Sequence, residues 1–166
     1  MKKIIMLFIF VGIISKWGVV AGFLGLPGAQ VKYSVGEYTS ANWYRNYNGY
    51  QDAQKVSDDN KVPMFIYVYT DWCKYCKKFN QELLTNDKII DSLSKFVKVK
   101  VNPEKGELEK SLAVKWKSRG YPAILINSDS NSNNPKRIRA PYTRQSSGWR
   151  LMSPQEFISM LEKNGA

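Results

Sequence analysis

Residues 62–69, VPMFIYVY, form an eight-residue run with no strongly polar position. The run is short, bounded, and rich in β-branched and aromatic residues, so it reads as a strand buried on both faces. A strand of this kind needs cover above and below its sheet. The segments around it supply that cover at helical spacing. Residues 42–59 carry Trp43, Tyr47, Tyr50, Ala53 and Val56 in a pattern that predicts a helix, although Gly49 weakens it. Phe79, Leu83 and Leu84 share one face of a second predicted helix, which follows the strand. Asn86 is positioned to cap a further helical stretch through KIIDSLSKF.

FVKVKVN at 96–102 alternates strictly and reads as a second strand, with Lys98 and Lys100 expected on its solvent side. A charged helix is expected between Glu104 and Lys117, with Leu108, Leu112, Ala113 and Trp116 at helical spacing. GYPAILIN at 120–127 is a third strand with a proline near its start. After the polar turn at 128–135, a strand near RIRAPY would complete a hairpin. Ser153, Pro154 and Glu156 write a capping box with proline at the first helical position, which opens a last helix over Phe157, Ile158 and Leu161. The expected order is helix, strand, helix, strand, helix, strand, strand, helix. It makes an α/β domain with a central mixed sheet flanked by helices.

The amino terminus has a different character. MKK followed by IIMLFIFVGII at 4–14 has the form of a signal peptide, with small residues suited to cleavage after Ala21. The alternative is an uncleaved anchor through residues 4–26. Lys16 counts against a span, because a charge at its centre costs roughly 2.5–3.5 kcal/mol. Either route exports the remainder. The expected organisation is a signal peptide or membrane anchor at 1–29, a linker at 30–41 and a folded domain at 42–166.

The 166 residues carry a formal net charge of +11, which favours acidic protein partners or an anionic membrane surface. No dense basic run or RNA-binding signature is present, so no nucleic-acid partner is expected. Trp149 and Arg150, with Arg137, Arg139 and Arg144, form a basic and aromatic stretch before the last helix. It reads as loop and surface, with a docking edge as the alternative.

Cys73 and Cys76 are the only cysteines. A disulfide between them closes too short a loop to restrict the unfolded chain much, which argues for a chemical purpose. On a helix, positions i and i+3 share a face, so the two thiols can meet. The predicted strand ends near Thr70, and this places Cys73 at a helix N-terminus, where free N–H groups favour a thiolate. Lys74, Lys77 and Lys78 act in the same direction. Cys76, one turn deeper, is expected to be the more buried thiol. A zinc site would need four ligands, and the chain has no histidine and no second cysteine pair. No metal or other cofactor is expected.

From Pro63 to Ile126 the sequence resembles the thioredoxin superfamily. PMFIYVYTDWCKYCKKF matches its strand, WCxxC and helix, and GYPAILI matches its strand opened by a cis-proline. The paired motifs are far more specific than either alone. Exported thioredoxin-like domains, such as the C-terminal domain of the membrane thiol:disulfide interchange protein, share the DWCxxCK-F pattern. The resemblance covers roughly residues 43–163. It implies a thioredoxin-like fold in which Cys73 attacks, Cys76 resolves and Trp72 flanks the nucleophile. It also implies that Gly120, Tyr121 and a cis Pro122 border the substrate. The partners it implies are proteins with disulfides or thiols, together with a membrane redox partner.

Two departures from the family pattern stand out. The family's buried aspartate, six residues before the first cysteine, is replaced by Tyr67, leaving water, Lys98 or Lys100 to handle protons. The dipeptide Lys74-Tyr75 between the cysteines matches none of the familiar versions and leaves the redox poise open. Resemblance to reducing relatives favours an exported reductant of protein disulfides. An isomerase, or a thioredoxin-fold binding module without catalysis, are the alternatives.

Overall fold

The computed structural model describes residues 43–128 and 134–165. The signal or anchor expected at 1–29, and its linker, lie outside the described residues. The apolar run at 62–69 supplies β2 (Met64–Val68), every residue of which is buried. It pairs in parallel with β3 (Val97–Val101), in the register Ile66 to Val99. On its other side it pairs antiparallel with β4 (Ala123–Asn127), in the register Ile66 to Leu125. Two short edge strands complete a five-stranded mixed sheet in the order β1-β3-β2-β4-β5. They are β1 (Tyr44–Arg45), parallel to β3, and β5 (Lys136–Arg137), antiparallel to β4.

Strand alternation divides the core into two layers. Met64, Ile66 and Val68 face one side with Val97, Val99, Val101 and Leu125. They pack there under α1 (Asn46–Asn60) and α4 (Glu107–Lys115), which contribute Tyr50, Ala53, Leu112 and Ala113. Phe65, Tyr67, Ile124 and Ile126 face the other side. That layer is closed by α2 (Lys74–Glu82), α3 (Asp87–Leu93) and α5 (Pro154–Gly165), through Phe79, Ile89, Phe157 and Leu161. Phe79 meets Tyr67 and Phe157 edge-on, with ring centroids 5.2 and 5.4 Å away. Among the described residues, no helix is long and apolar enough to cross a membrane.

The expected caps form. Asn86 Oδ1 accepts from the Lys88 N–H at 3.1 Å. At the head of α5, Ser153 Oγ accepts from the Glu156 N–H at 3.3 Å, and Glu156 Oε2 accepts from the Ser153 N–H at 2.7 Å.

Three expectations are corrected. The first helix begins at Asn46, not at 42, because Tyr44 and Arg45 extend to pair with Val99 and Lys100 and cover the open edge of β3. The stretch between β5 and α5 is not simple loop. It folds into a second, two-stranded sheet, β6 (Tyr142–Gln145) against β7 (Gly148–Leu151), joined by Ser146 and Ser147. Gly148, at φ +124°, occupies backbone space that a side chain would resist. Finally, the lysines of β3 do not point into solvent. Their face of the sheet is the one beneath α2, and Lys98 is only 3% exposed.

Candidate active site

β2 ends at Val68, and the chain turns through Thr70 to Trp72 before α2 begins at Lys74. Cys73 is the N-cap of α2, and its Sγ accepts a hydrogen bond from the Cys76 N–H at 3.1 Å. A sulfur acceptor thus occupies the place where a capping oxygen would satisfy one of the free N–H groups of a first turn. Cys73 and Cys76 are joined as a disulfide with Cα atoms 5.2 Å apart. Both are buried, Cys76 to 1% and Cys73 to 4% exposure, in the order expected.

Trp72 lies outside this burial at 66% exposure, and its indole N–H donates to Glu104 Oε1 at 2.7 Å. Beside it Asp71 pairs with Lys105 at 3.0 Å. The second half of the site arrives from the far side of α4. Gly120, at φ +78°, leads into Tyr121 and Pro122, and the Tyr121–Pro122 peptide bond is cis. The Tyr121 ring meets Trp72 edge-on, with centroids 6.1 Å apart. The two sequence motifs therefore meet in space. Burial, with the field of Glu104, raises the Tyr121 hydroxyl above the ordinary tyrosine range.

Gly120, Tyr121 and Pro122 line an open cleft of about 210 Å³ together with Tyr75, Arg137, Ala140, Tyr142 and Trp149. Tyr75, between the two cysteines, is fixed by the hairpin. Tyr142 packs edge-on against it at 5.0 Å, and the Tyr142 hydroxyl donates to the Tyr75 carbonyl at 2.7 Å. Burial, with the charge of Glu82 and the neighbouring Tyr75, pushes the Tyr142 hydroxyl up to about 12. Arg137 donates to the carbonyls of Lys117 and Arg119 at 3.2 and 2.9 Å, which ties β5 to the loop entering Gly120.

Beneath α2, Tyr67 is wholly buried, and its hydroxyl donates to the Cys76 carbonyl at 3.4 Å. The Lys100 ammonium lies 4.4 Å from the Trp43 ring centre and 5.7 Å from that of Tyr67, and donates to Asn80 Oδ1 at 3.4 Å. Burial, reinforced by the like charges of Arg45 and Lys98, lowers Lys100 to about 8. Burial lowers Lys98 as well. Tyr67, Trp43 and Lys100 thus occupy the layer beneath α2 where the family pattern has a buried aspartate.

Sequence reading missed the cleft as a unit, since its lining comes from four separated segments. The Ser-Ser-Gly step at 146–148, between YTRQ and WRL, is the one local signal that would have placed the hairpin.

A cysteine pair closed at the head of a helix, on a sheet of this order and beside a cis-proline loop, defines a thiol–disulfide oxidoreductase. The chain belongs to the thioredoxin-like family, whose match spans residues 43–127. Among curated proteins none is a significant match in sequence. Solved structures share the fold. The oxidised C-terminal domain of DsbD from Neisseria meningitidis superposes with a TM-score of 0.52 at 18% identity, over 74% of this chain and 99% of that one. A DsbH oxidoreductase gives 0.53 at 14% identity, over 82% and 93%. A thioredoxin from Thermus thermophilus gives 0.50 at 16% identity, over 73% and 85%. At these identities the likeness is one of fold.

Proposed function

We propose that this chain is an exported oxidoreductase that reduces disulfides in protein substrates through Cys73 and Cys76. The observation that carries the reading is the placement of Cys73, capping α2 with its sulfur while the Trp72–Tyr121 contact brings the cis-proline loop alongside. In the reduced enzyme the Cys73 thiolate attacks a substrate disulfide. One sulfur–sulfur bond breaks, a mixed disulfide forms on Cys73, and the first substrate thiolate leaves. The Cys76 thiolate then attacks Cys73, releasing the second substrate thiolate and closing the Cys73–Cys76 disulfide. Two electrons pass from the cysteine pair to the substrate. Trp72, Gly120, Tyr121 and Pro122 border the groove that receives the substrate segment.

Export rests on the MKK-plus-apolar amino terminus, and the folded domain is taken to begin at residue 42. An exported reductant needs its electrons resupplied, so a membrane redox protein is the expected donor. The reducing direction follows the sequence resemblance to exported thioredoxin-like domains.

The test is the rate of disulfide reduction by the full chain and by its Cys73→Ser variant, which should be inactive. Full activity in that variant would remove Cys73 from the reaction. Equilibration with a thiol buffer fixes the direction. A potential near about −270 mV fits a reductant, and one at about −180 mV or above fits isomerisation or oxidation.

A further inference from the structure

The hairpin β6–β7 lies beyond the segment that the family match spans, which ends at residue 127. It nevertheless forms one wall of the cleft that is also lined by Tyr75, the residue next to Cys76, and by the cis-proline loop. Its Trp149 is 56% exposed, although an indole has more apolar surface to bury than almost any other side chain. Tyr142, on the opposing strand, anchors the hairpin to the Tyr75 carbonyl, so the wall is fixed to the cysteine motif itself. Tyr75, Tyr121, Tyr142 and Trp149 make the cleft aromatic, with Arg137 as its only charged lining residue among the described residues.

Positive charge continues across the Gly120–Tyr121 loop. A second cleft there, of about 310 Å³, shares Tyr121 and is lined by Lys110, Lys117 and Arg119, with no carboxylate among the described residues of its lining. Lys110 is paired with Glu107 at 3.4 Å, and Glu104, whose charge acts on Tyr121, is engaged by the Trp72 indole. The cis-proline loop is therefore flanked by aromatic rings on one side and by cations on the other. This arrangement is complementary to an apolar side chain within an acidic segment.

We propose that the aromatic cleft is a specificity pocket for the substrate protein. It seats a bulky apolar side chain, an aromatic one above all, next to the substrate's reacting cysteine, while the cationic rim receives acidic residues around it. The inference rests on the oxidoreductase reading and adds to it the chemistry of the substrate segment.

The experiment compares exchange rates of the full chain with a small uncharged disulfide, hydroxyethyl disulfide, and three synthetic disulfide peptides. The first peptide has phenylalanine beside its cysteine and flanking glutamates. In the second, serine replaces the phenylalanine. In the third, lysines replace the glutamates. The phenylalanine peptide should react about tenfold faster than the serine peptide. Trp149→Ala should abolish that preference by slowing the phenylalanine peptide to the rate of the serine peptide, and Trp149→Phe should keep most of it. The lysine peptide should react more slowly at low salt, with the gap closing as salt is added. Equal rates for the phenylalanine and serine peptides, or a preference surviving Trp149→Ala, would overturn the pocket. A lysine peptide as fast as its glutamate counterpart would overturn the acidic segment. A wild-type chain that exchanges with none of the four would overturn the oxidoreductase reading, and the pocket with it.

Discussion

The Tyr142 hydroxyl donates a 2.7 Å hydrogen bond to the carbonyl of Tyr75, so the hairpin holds the residue lying between the two cysteines. Tyr142→Phe keeps the 5.0 Å ring contact and removes the bond alone. The loss should cost about 1 kcal/mol in urea denaturation. Amide exchange across β6 and β7 should accelerate more than exchange in β2 and β3. Uniform acceleration would mean that the hairpin has no local opening of its own.

Lys100 is held half-buried with its acidity raised, near pH 8 against an ordinary value of 10.5. Between these values the folded chain has released this proton while the unfolded chain still holds it. The unfolded state binds more protons there, so stability should rise with pH across that window. Lys98, lowered by burial, acts in the same sense. The raised tyrosines oppose it only where unfolded tyrosines ionise, at and above 10. Urea midpoints should therefore increase from pH 7.5 to 9.5. Lys100→Met should flatten the increase and be more stable than wild type at pH 7 by about 1–2 kcal/mol. An unchanged pH slope in the variant would clear Lys100 of the effect.

Glu156 joins the hairpin to the last helix, accepting from both Arg150 Nη atoms at 2.9 and 2.7 Å. Arg150 first, and then the Ser153 N–H, hold its carboxyl down to about 2, from 4.5. A depressed carboxylate stabilises the fold above its unfolded pKa, and that contribution disappears as pH falls from 4.5 toward 2. Glu156→Gln should melt below wild type at pH 7, and the two melting temperatures should converge by pH 2. A gap that persisted at pH 2 would have to arise from the neutral hydrogen bonds.

Phe79 fills the space between Tyr67 and Phe157 and is fully buried. Phe79→Ala should destabilise the fold by about 3–5 kcal/mol in chemical denaturation. A cost under about 1 kcal/mol would mean that α2 settles into the space left behind.

What the sequence disclosed was whatever depends on neighbours along the chain. Strand β2, the place of Cys73 at a helix N-terminus and the capping box at Ser153 are each written within a few consecutive residues, whereas the cis form of Pro122 was implied by the family resemblance. Lys98 and Lys100 were misread because alternation alone does not say which face is wet. β3 lies between β1 and β2, with helices over both faces, so even its polar side chains are enclosed. Gly49 counted against a helix by propensity. In the structure it lies inside α1, where an added Cβ would stand 3.1 Å from the Tyr44 carbonyl carbon. Tertiary proximity, absent from any local window, explains that glycine. The same holds for Tyr75, Tyr121, Tyr142 and Trp149, which no single window contains.

Strand β4 runs against β2, with Val68 opposite Ala123. The end of one strand and the start of the other therefore share one rim of the sheet, which delivers Trp72 and Tyr121 to each other. Everything between β3 and that rim, α4 included, is a detour whose length does not enter the distance. A slip of one residue between β2 and β4 would carry the cis-proline loop away from the cysteines, even with every side chain of the site intact.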